Sequence, residues 1–238
     1  YLGKNILGSL MNLELYVHAS AGRYICGEAS AMLNALEGRR PIPRHKPPHM
    51  STEGFFGKPT VVNNVETLSS VPFIIGEGAE AYRKNGTQES PGTKLFCVSG
   101  HVRKPGNYEL PLGFPLMELI NDVCGGLKEG RKLKGVIPGG SSVPILDAEE
   151  CAGCELSFEG VIKAGSQLGC ASVIVMDDST DIVKEVRRMV GFYAHESCGQ
   201  CTPCREGSAW TEKILRRIEE GRGTEEDLDT LVEVTSQM

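Results

Sequence analysis

The chain has 238 residues, a formal net charge of −6, 40% hydrophobic and 24% charged residues, and 6% aromatics. That length exceeds one small domain and falls short of three full ones, and the acidic balance argues against a large nucleic-acid footprint. No apolar run approaches the ~20 residues that span a bilayer, and no secretory leader pattern opens the chain.

The opening stretch Tyr1–Gly8, without a Met, reads as the middle of a domain. Leu13–His18 alternates enough for a strand, and Arg23–Cys26 is a second short strand candidate. Gly27-Glu28 then turns into a helix with Met32, Leu33 and Leu36 on one face and Gly38 as its stop. Strand, glycine turn and helix make an α/β unit. Residues 39–50, RRPIPRHKPPHM, form a basic loop whose prolines forbid a helix. Thr60–Val62 is apolar and extended; Asn63 is expected to cap the next helix, with Glu66 closing a capping box and Val65, Leu68 and Val71 on its face. Polar, turn-rich residues 84–93 mark a domain boundary.

Beyond it, Lys94–Ser99, Asn107–Leu110, Gly135–Pro138 and Ser172–Met176 read as strands, and Leu116–Cys124 as a short helix ending at Gly125-Gly126. Together they suggest a small α+β domain. From Asp181 the period is helical: Ile182, Val183, Val186, Met189, Val190 and Tyr193 share a face, and Trp210, Ile214 and Ile218 line the next helix up to Gly221. Thr224, followed by Glu225, Glu226 and Asp227, starts a third helix that still runs at Met238. Both ends of the chain are therefore expected to be cut.

Nine cysteines are an odd number in a chain that is not small, which disfavours a secreted disulfide scaffold. Three of them, Cys198, Cys201 and Cys204, fall in ESCGQCTPCR, residues 196–205. Thiolates at i, i+3 and i+6, with Gly199 and Pro203 letting the backbone wrap tightly, suit three irons of a cubane cluster. The fourth ligand then comes from a distant upstream Cys or from beyond Met238. A structural zinc site or three reduced structural thiols are the alternatives, although zinc usually takes two separated Cys/His pairs and His195 has no clear partner. Cys151-Ala-Gly-Cys154 is a C-x-x-C pair in a stretch read as irregular, and its spacing reads as coincidence.

RYICGEASAMLNALEGRR (23–40), GKPTVVNNVETL (57–68), IPGGSS (137–142) and HESCGQCTPCREG (195–207) together closely resemble the flavin-bearing NADH-oxidising subunit of respiratory complex I, the 51 kDa or NuoF type. They also resemble the diaphorase subunits of NAD(P)-linked hydrogenases and formate dehydrogenases. The resemblance covers essentially the whole chain, in the family's order. It implies an α/β + α architecture. Residues 1–88 would be the C-terminal part of an FMN/NADH-binding α/β domain, 89–178 a ubiquitin-like β-grasp (SLBB-type) domain, and 179–238 a truncated helical bundle binding a [4Fe–4S] cluster. It implies FMN, [4Fe–4S] and NAD(H), or NADP(H), as cofactors, and NADH oxidation with electrons passed singly towards quinone. A flavin must lie between hydride donor and cluster, because only the flavin handles both two-electron and one-electron transfers. Implied partners are NADH, a 24 kDa-type [2Fe–2S] subunit and a larger iron–sulfur subunit, at the cytoplasmic, inner face of the cell membrane.

By the same resemblance, Tyr24, Gly27 and Glu28 line the flavin and nicotinamide pocket. Val62, Asn63, Asn64 and Thr67 contact FMN at a helix start that suits a phosphate or ribityl chain. Hydride passes directly to the flavin, so no side chain is assigned a proton-transfer role. Local chemistry offers plainer roles: Asn63 as a helix cap, Glu28 as a first-turn carboxylate, Tyr24 as core, and the basic loop as solvated surface or as an attractor of dinucleotide phosphates. The chain departs from the family where GEET becomes Gly27-Glu28-Ala29-Ser30 and where KPPF becomes Lys46-Pro47-Pro48-His49. Both changes fall at the adenosine end. Loss of a carboxylate at Ala29 and gain of His49 favour relaxed selectivity for NAD over NADP; neutral drift is the alternative. A non-catalytic, zinc-stabilised interaction domain is the reading of a different class.

Overall fold

A computed structural model of the chain describes residues 2–20 and 22–238. The chain divides into two compact units, one of residues 1–62 and 190–238 and one of residues 63–189.

In the first unit, Leu13–His18 and Arg23–Cys26 are not strands. Leu13 makes a single bridge to Gly3, and Tyr24–Gly27 is a 3₁₀ turn. Helix α1, Ala29–Leu36, follows it. It forms because Glu28 caps its first turn and buries Ala31 and Leu33; Gly38, at φ +74°, ends it where only a residue without a Cβ sits without strain. The rest of this unit begins within α7, Ile182–Glu196. A wide, π-type turn at Pro203–Gly207 and helix α8, Ser208–Glu219, follow. Helix α9, Glu225–Ser236, opens on a Thr224/Asp227 capping box. Helix α8 buries Thr211, Ile214 and Leu215, while Trp210 stays 52% exposed in place of joining that face.

The second unit opens with α2, Val65–Glu77, and α3, Ala79–Arg83. Asn64, not Asn63, caps α2: its Oδ1 accepts from the Glu66 and Thr67 N–H groups at 2.8 and 3.3 Å. Glu66 does not reach back to close a box. It takes the Lys94 ammonium at 2.7 Å and the Leu95 N–H at 2.8 Å, tying α2 to the sheet.

That sheet has five strands in the order β2-β1-β7-β4-β5: β1 Thr93–Gly100, β2 Gly106–Pro111, β4 Leu133–Ile137, β5 Leu146–Asp147 and β7 Ser172–Asp177. β1 runs antiparallel to β2 and parallel to β7, with Cys97 opposite Ser172 and Gly100 opposite Val175. β7 is antiparallel to β4. Alternation along β1 sends Phe96 and Val98 into the core and leaves Leu95 and Cys97 outside. A two-stranded ribbon pairs β3, Phe114–Pro115, with β6, Glu155–Leu156.

Helix α4, Leu116–Glu118, continues into a wide turn in which the Cys124 N–H donates to the Leu119 carbonyl. Helices α5, Ala148–Ala152, and α6, Phe158–Lys163, complete the layer. Leu116, Leu119, Ile120, Leu156 and Val161 pack with Phe96, Val136, Val173 and Val175 into one core. The stretch read as irregular around Cys151 is α5, held by an Asp147/Glu150 capping box.

Candidate functional site

The first unit brings together two stretches that are far apart in sequence. Arg23 Nη2 donates to the His195 carbonyl (3.0 Å), and the Tyr24 N–H donates to Glu196 Oε2 (2.9 Å). Arg40 Nη2 donates to the Cys198 carbonyl (2.7 Å), and Gln200 Nε2 to the Pro43 carbonyl (3.1 Å). The Tyr24 ring, 55% exposed, stands edge-on to Phe192 with centroids 5.2 Å apart, and lies 6.2 Å from Tyr193. A seam of hydrogen bonds and aromatic contacts thus joins the segment around Tyr24–Pro43 to the cysteine segment.

The cysteine segment has its own internal ties. Gly199 sits at φ +79°, and its N–H donates to Ser197 Oγ (3.2 Å). Arg205 Nη1 donates to the Gly199 carbonyl (2.7 Å), the Arg205 N–H to the Cys201 carbonyl (2.9 Å), and Ser208 Oγ to the Cys204 carbonyl (2.5 Å). All three thiols are unbridged; Cys201 and Cys204 are exposed and Cys198 half-buried. Three free thiols on one wrapped loop, flanked by two guanidinium groups, are a donor set that fits a thiolate-bound cluster. Among the described residues no three His, Cys, Asp or Glu side chains converge on a single ion.

The remaining cysteines behave otherwise. Cys151 and Cys154 are buried in the second unit's core, and burial pushes their thiols up to about 12 and about 11. A C-x-x-C redox pair needs a stabilised thiolate, so these are core residues. Burial also raises the Cys124 thiol, against a hydrogen bond from Tyr108.

Glu28 sits at the start of α1, its carboxylate accepting from Ser30 Oγ (2.6 Å) and the Ala31 N–H (2.8 Å). Partial burial pushes its pKa up, but the hydrogen bonds from Ser30 and Ala31 and the charge of Lys46 outweigh it and hold it below the ordinary carboxylate range. Ser30, buried, also accepts from the Arg44 N–H (2.9 Å). Ser30 therefore draws Glu28 and Ala29 towards the basic loop. His49 is exposed at the loop's far end, its carbonyl taking the Thr52 and Glu53 N–H groups. Gly27 is exposed, and a Cβ built there would meet nothing within 4 Å, so its face is open to a planar group.

A cleft of about 810 Å3 is lined by Arg39, Arg40, Arg44, His45, Phe56 and Gln200, among others. Arg44 is held at 2.8 Å by Glu37, whose carboxylate pKa this ion pair and the Phe56 N–H lower.

Val62 is exposed at the end of the first unit. Asn63, Asn64 and Thr67 belong to the second, where Asn64 and Thr67 edge a shallow polar cleft of about 180 Å3 with Ser70, Tyr82, Thr93 and Lys94. Asn64 Oδ1 is engaged by the helix, while Asn63 and Thr67 are exposed. Ser30, Arg40 and Gln200 all lie inside the quoted motifs, but nothing local in the sequence points to their bonding.

Comparison with known proteins gives this geometry its context. Residues 4–73 match the family model for the Nuo51 FMN-binding domain, residues 94–183 the SLBB domain, and residues 184–238 the NADH-ubiquinone oxidoreductase-F iron-sulfur binding region. Together these define the chain as one of flavin-domain and iron–sulfur-region type. More narrowly, the chain resembles, over its whole length, the family of F subunits of NADH-quinone oxidoreductases. It is 51% identical over all 238 residues to the Mycobacterium bovis member of that family, covering 53% of that protein. It is 52% identical over 231 residues to the second of the F-type chains of Rhizobium meliloti, covering 97% of this chain and 55% of that one. The chain thus spans about half the length of the curated relatives it matches. Its structure is also similar to a chain of an NAD+-reducing [NiFe]-hydrogenase solved in the H2-reduced state, with a TM-score of 0.86 and 40% identity over 95% of this chain and 38% of that one.

Proposed function

We propose that the chain is part of an electron-input subunit that oxidises NADH at FMN and passes electrons through a [4Fe–4S] cluster towards quinone. The seam between Tyr24–Pro43 and His195–Gln200 carries this reading. It couples the segment proposed to face flavin and nicotinamide directly to the proposed cluster ligands Cys198, Cys201 and Cys204. When bound, the flavin takes a hydride and releases electrons one at a time, and the cluster accepts them singly.

The chain's own residues hold these groups. Gly27 leaves a flat approach, and Tyr24 walls it with its ring fixed on Phe192. Glu28 is ionised and oriented by Ser30, suiting it to hydrogen-bond hydroxyl groups of the dinucleotide. Asn63 and Thr67 offer exposed polar groups on the FMN side, where Asn64 caps the helix and Val62 is exposed just before it. Ala29 and His49 set the adenosine end, where one fewer carboxylate favours acceptance of NADPH beside NADH.

Residues 1–88, 89–178 and 179–238 are the proposed flavin-domain part, β-grasp domain and cluster-binding bundle. The parallel central pairing of β1 with β7, flanked by β2 on one side and β4-β5 on the other, supports the β-grasp assignment. A 24 kDa-type [2Fe–2S] subunit and a larger iron–sulfur subunit are the proposed partners, at the cytoplasmic face of the membrane. No helix among the described residues is long and apolar enough to cross one.

Metal and cofactor analysis of the full-length protein tests this. The expected result is about four irons, four acid-labile sulfides and one FMN per chain, with NADH-dependent ferricyanide reduction. Zinc in place of iron, without flavin, would overturn it. A second reading, favoured by the structural likeness to the NAD+-reducing hydrogenase, makes the same module a diaphorase. The purified complex would then contain nickel and reduce NAD+ with H2.

A further inference from the structure

We infer that Arg40 is a positioning residue for the cluster: it anchors the Cys198 turn and places a fixed positive charge beside it. This rests on the cluster reading above. Arg40 lies in the basic loop, yet its guanidinium crosses to the cysteine segment and donates to the Cys198 carbonyl at 2.7 Å. Its neighbours Arg39 and Arg44 instead share one carboxylate, lying 3.5 Å and 2.8 Å from Glu37. On the cysteine segment, Arg205 has Glu206 at 2.9 Å. Among the described residues Arg40, exposed to solvent, has no carboxylate partner, so its charge is not drawn away from the turn it bonds.

Gly199 reports how close that charge sits. A Cβ at Gly199 would meet Arg40 Nη2 at 3.4 Å and Arg205 Cδ at 3.6 Å, so the two guanidinium side chains bracket the residue that follows Cys198. A charge-assisted hydrogen bond of this kind stiffens the backbone that aims the first thiolate. A nearby cation also stabilises the extra negative charge of a reduced thiolate cluster, which raises its potential. A lysine shares the charge but presents a single point in place of a planar fork.

The test compares Arg40→Gln and Arg40→Lys in the full-length protein. The readouts are iron and sulfide content, the rate of iron loss to a chelator, and a redox titration followed by electron paramagnetic resonance. Arg40→Gln should keep its cluster on isolation, titrate at a lower potential than the parent, and lose iron about tenfold faster, the factor carried by one charge-assisted hydrogen bond. Arg40→Lys should stay near the parent in potential and lie between the two in iron loss. An Arg40→Gln protein with the parent's potential and chelator resistance would overturn the inference. So would iron loss from Arg40→Lys as fast as from Arg40→Gln, since shape alone would then be the requirement. Absence of iron and sulfide from the unsubstituted protein would instead overturn the cluster reading itself.

Discussion

The cysteines separate by environment. Burial penalises the thiolate form, so Cys151 and Cys154 are inert at neutral pH, with thiols at about 12 and about 11, and Cys124 is shifted the same way. Cys201 and Cys204 are exposed, as are Cys97 and Cys170. Iodoacetamide at pH 8, applied to folded protein stripped of iron, should therefore label Cys97, Cys170, Cys201 and Cys204 first. Cys124, Cys151 and Cys154 should label only after denaturation. Peptide mass spectrometry reads this directly, and early labelling of Cys151 would contradict the core assignment. The motif residues Cys198, Cys201 and Cys204 were legible as candidate ligands because their spacing is itself chemical. Arg40 was not, because it meets Cys198 across 158 positions and no local pattern encodes that partner.

Among the elements, strands with clean alternation or apolar runs were read well: Phe96 and Val98 define the inner face of β1, and Val173 and Val175 that of β7. β3, β5 and β6 are two residues long and can carry no period. Helix α5 is legible only through the capping box that Asp147 and Glu150 spell, since its five residues are too few to carry a helical period. At Arg23–Cys26 the apolar residues suggest a strand, whereas the chain there makes a 3₁₀ turn that packs Tyr24 on Phe192.

The two asparagines before α2 give a test that separates folding from binding. Asn64 satisfies two first-turn N–H groups, so Asn64→Ala should destabilise the second unit by about 1 kcal/mol. Asn63→Ala should leave the melting temperature unchanged but lower the FMN retained by the full-length protein. Equal losses of stability from both substitutions would remove the distinction between cap and ligand.

For the molecule as a whole, the order of flavin-domain, SLBB and iron–sulfur regions was legible because each region carries its own motif. The seam was legible only in three dimensions, and it bears on what the assembled protein selects. On the side proposed for the dinucleotide, Glu28 is held ionised by Ser30 and Ala31 within reach of the Lys46 charge, and Ala29, beside it on the first turn of α1, contributes no second carboxylate. A 2′-phosphate approaching there meets one negative side chain and a basic loop in place of two negative side chains. Ala29→Glu restores the missing charge. Two like charges a few ångströms apart near a surface repel by a few kcal/mol before salt screening, so a loss of about tenfold in kcat/KM with NADPH, and little with NADH, is expected of the full-length protein. Steady-state rates with both nucleotides, repeated at raised ionic strength, decide it. The NADPH penalty should shrink with salt if it is electrostatic, and a strong NADH preference unchanged by Ala29→Glu would show that selectivity lies elsewhere in the site.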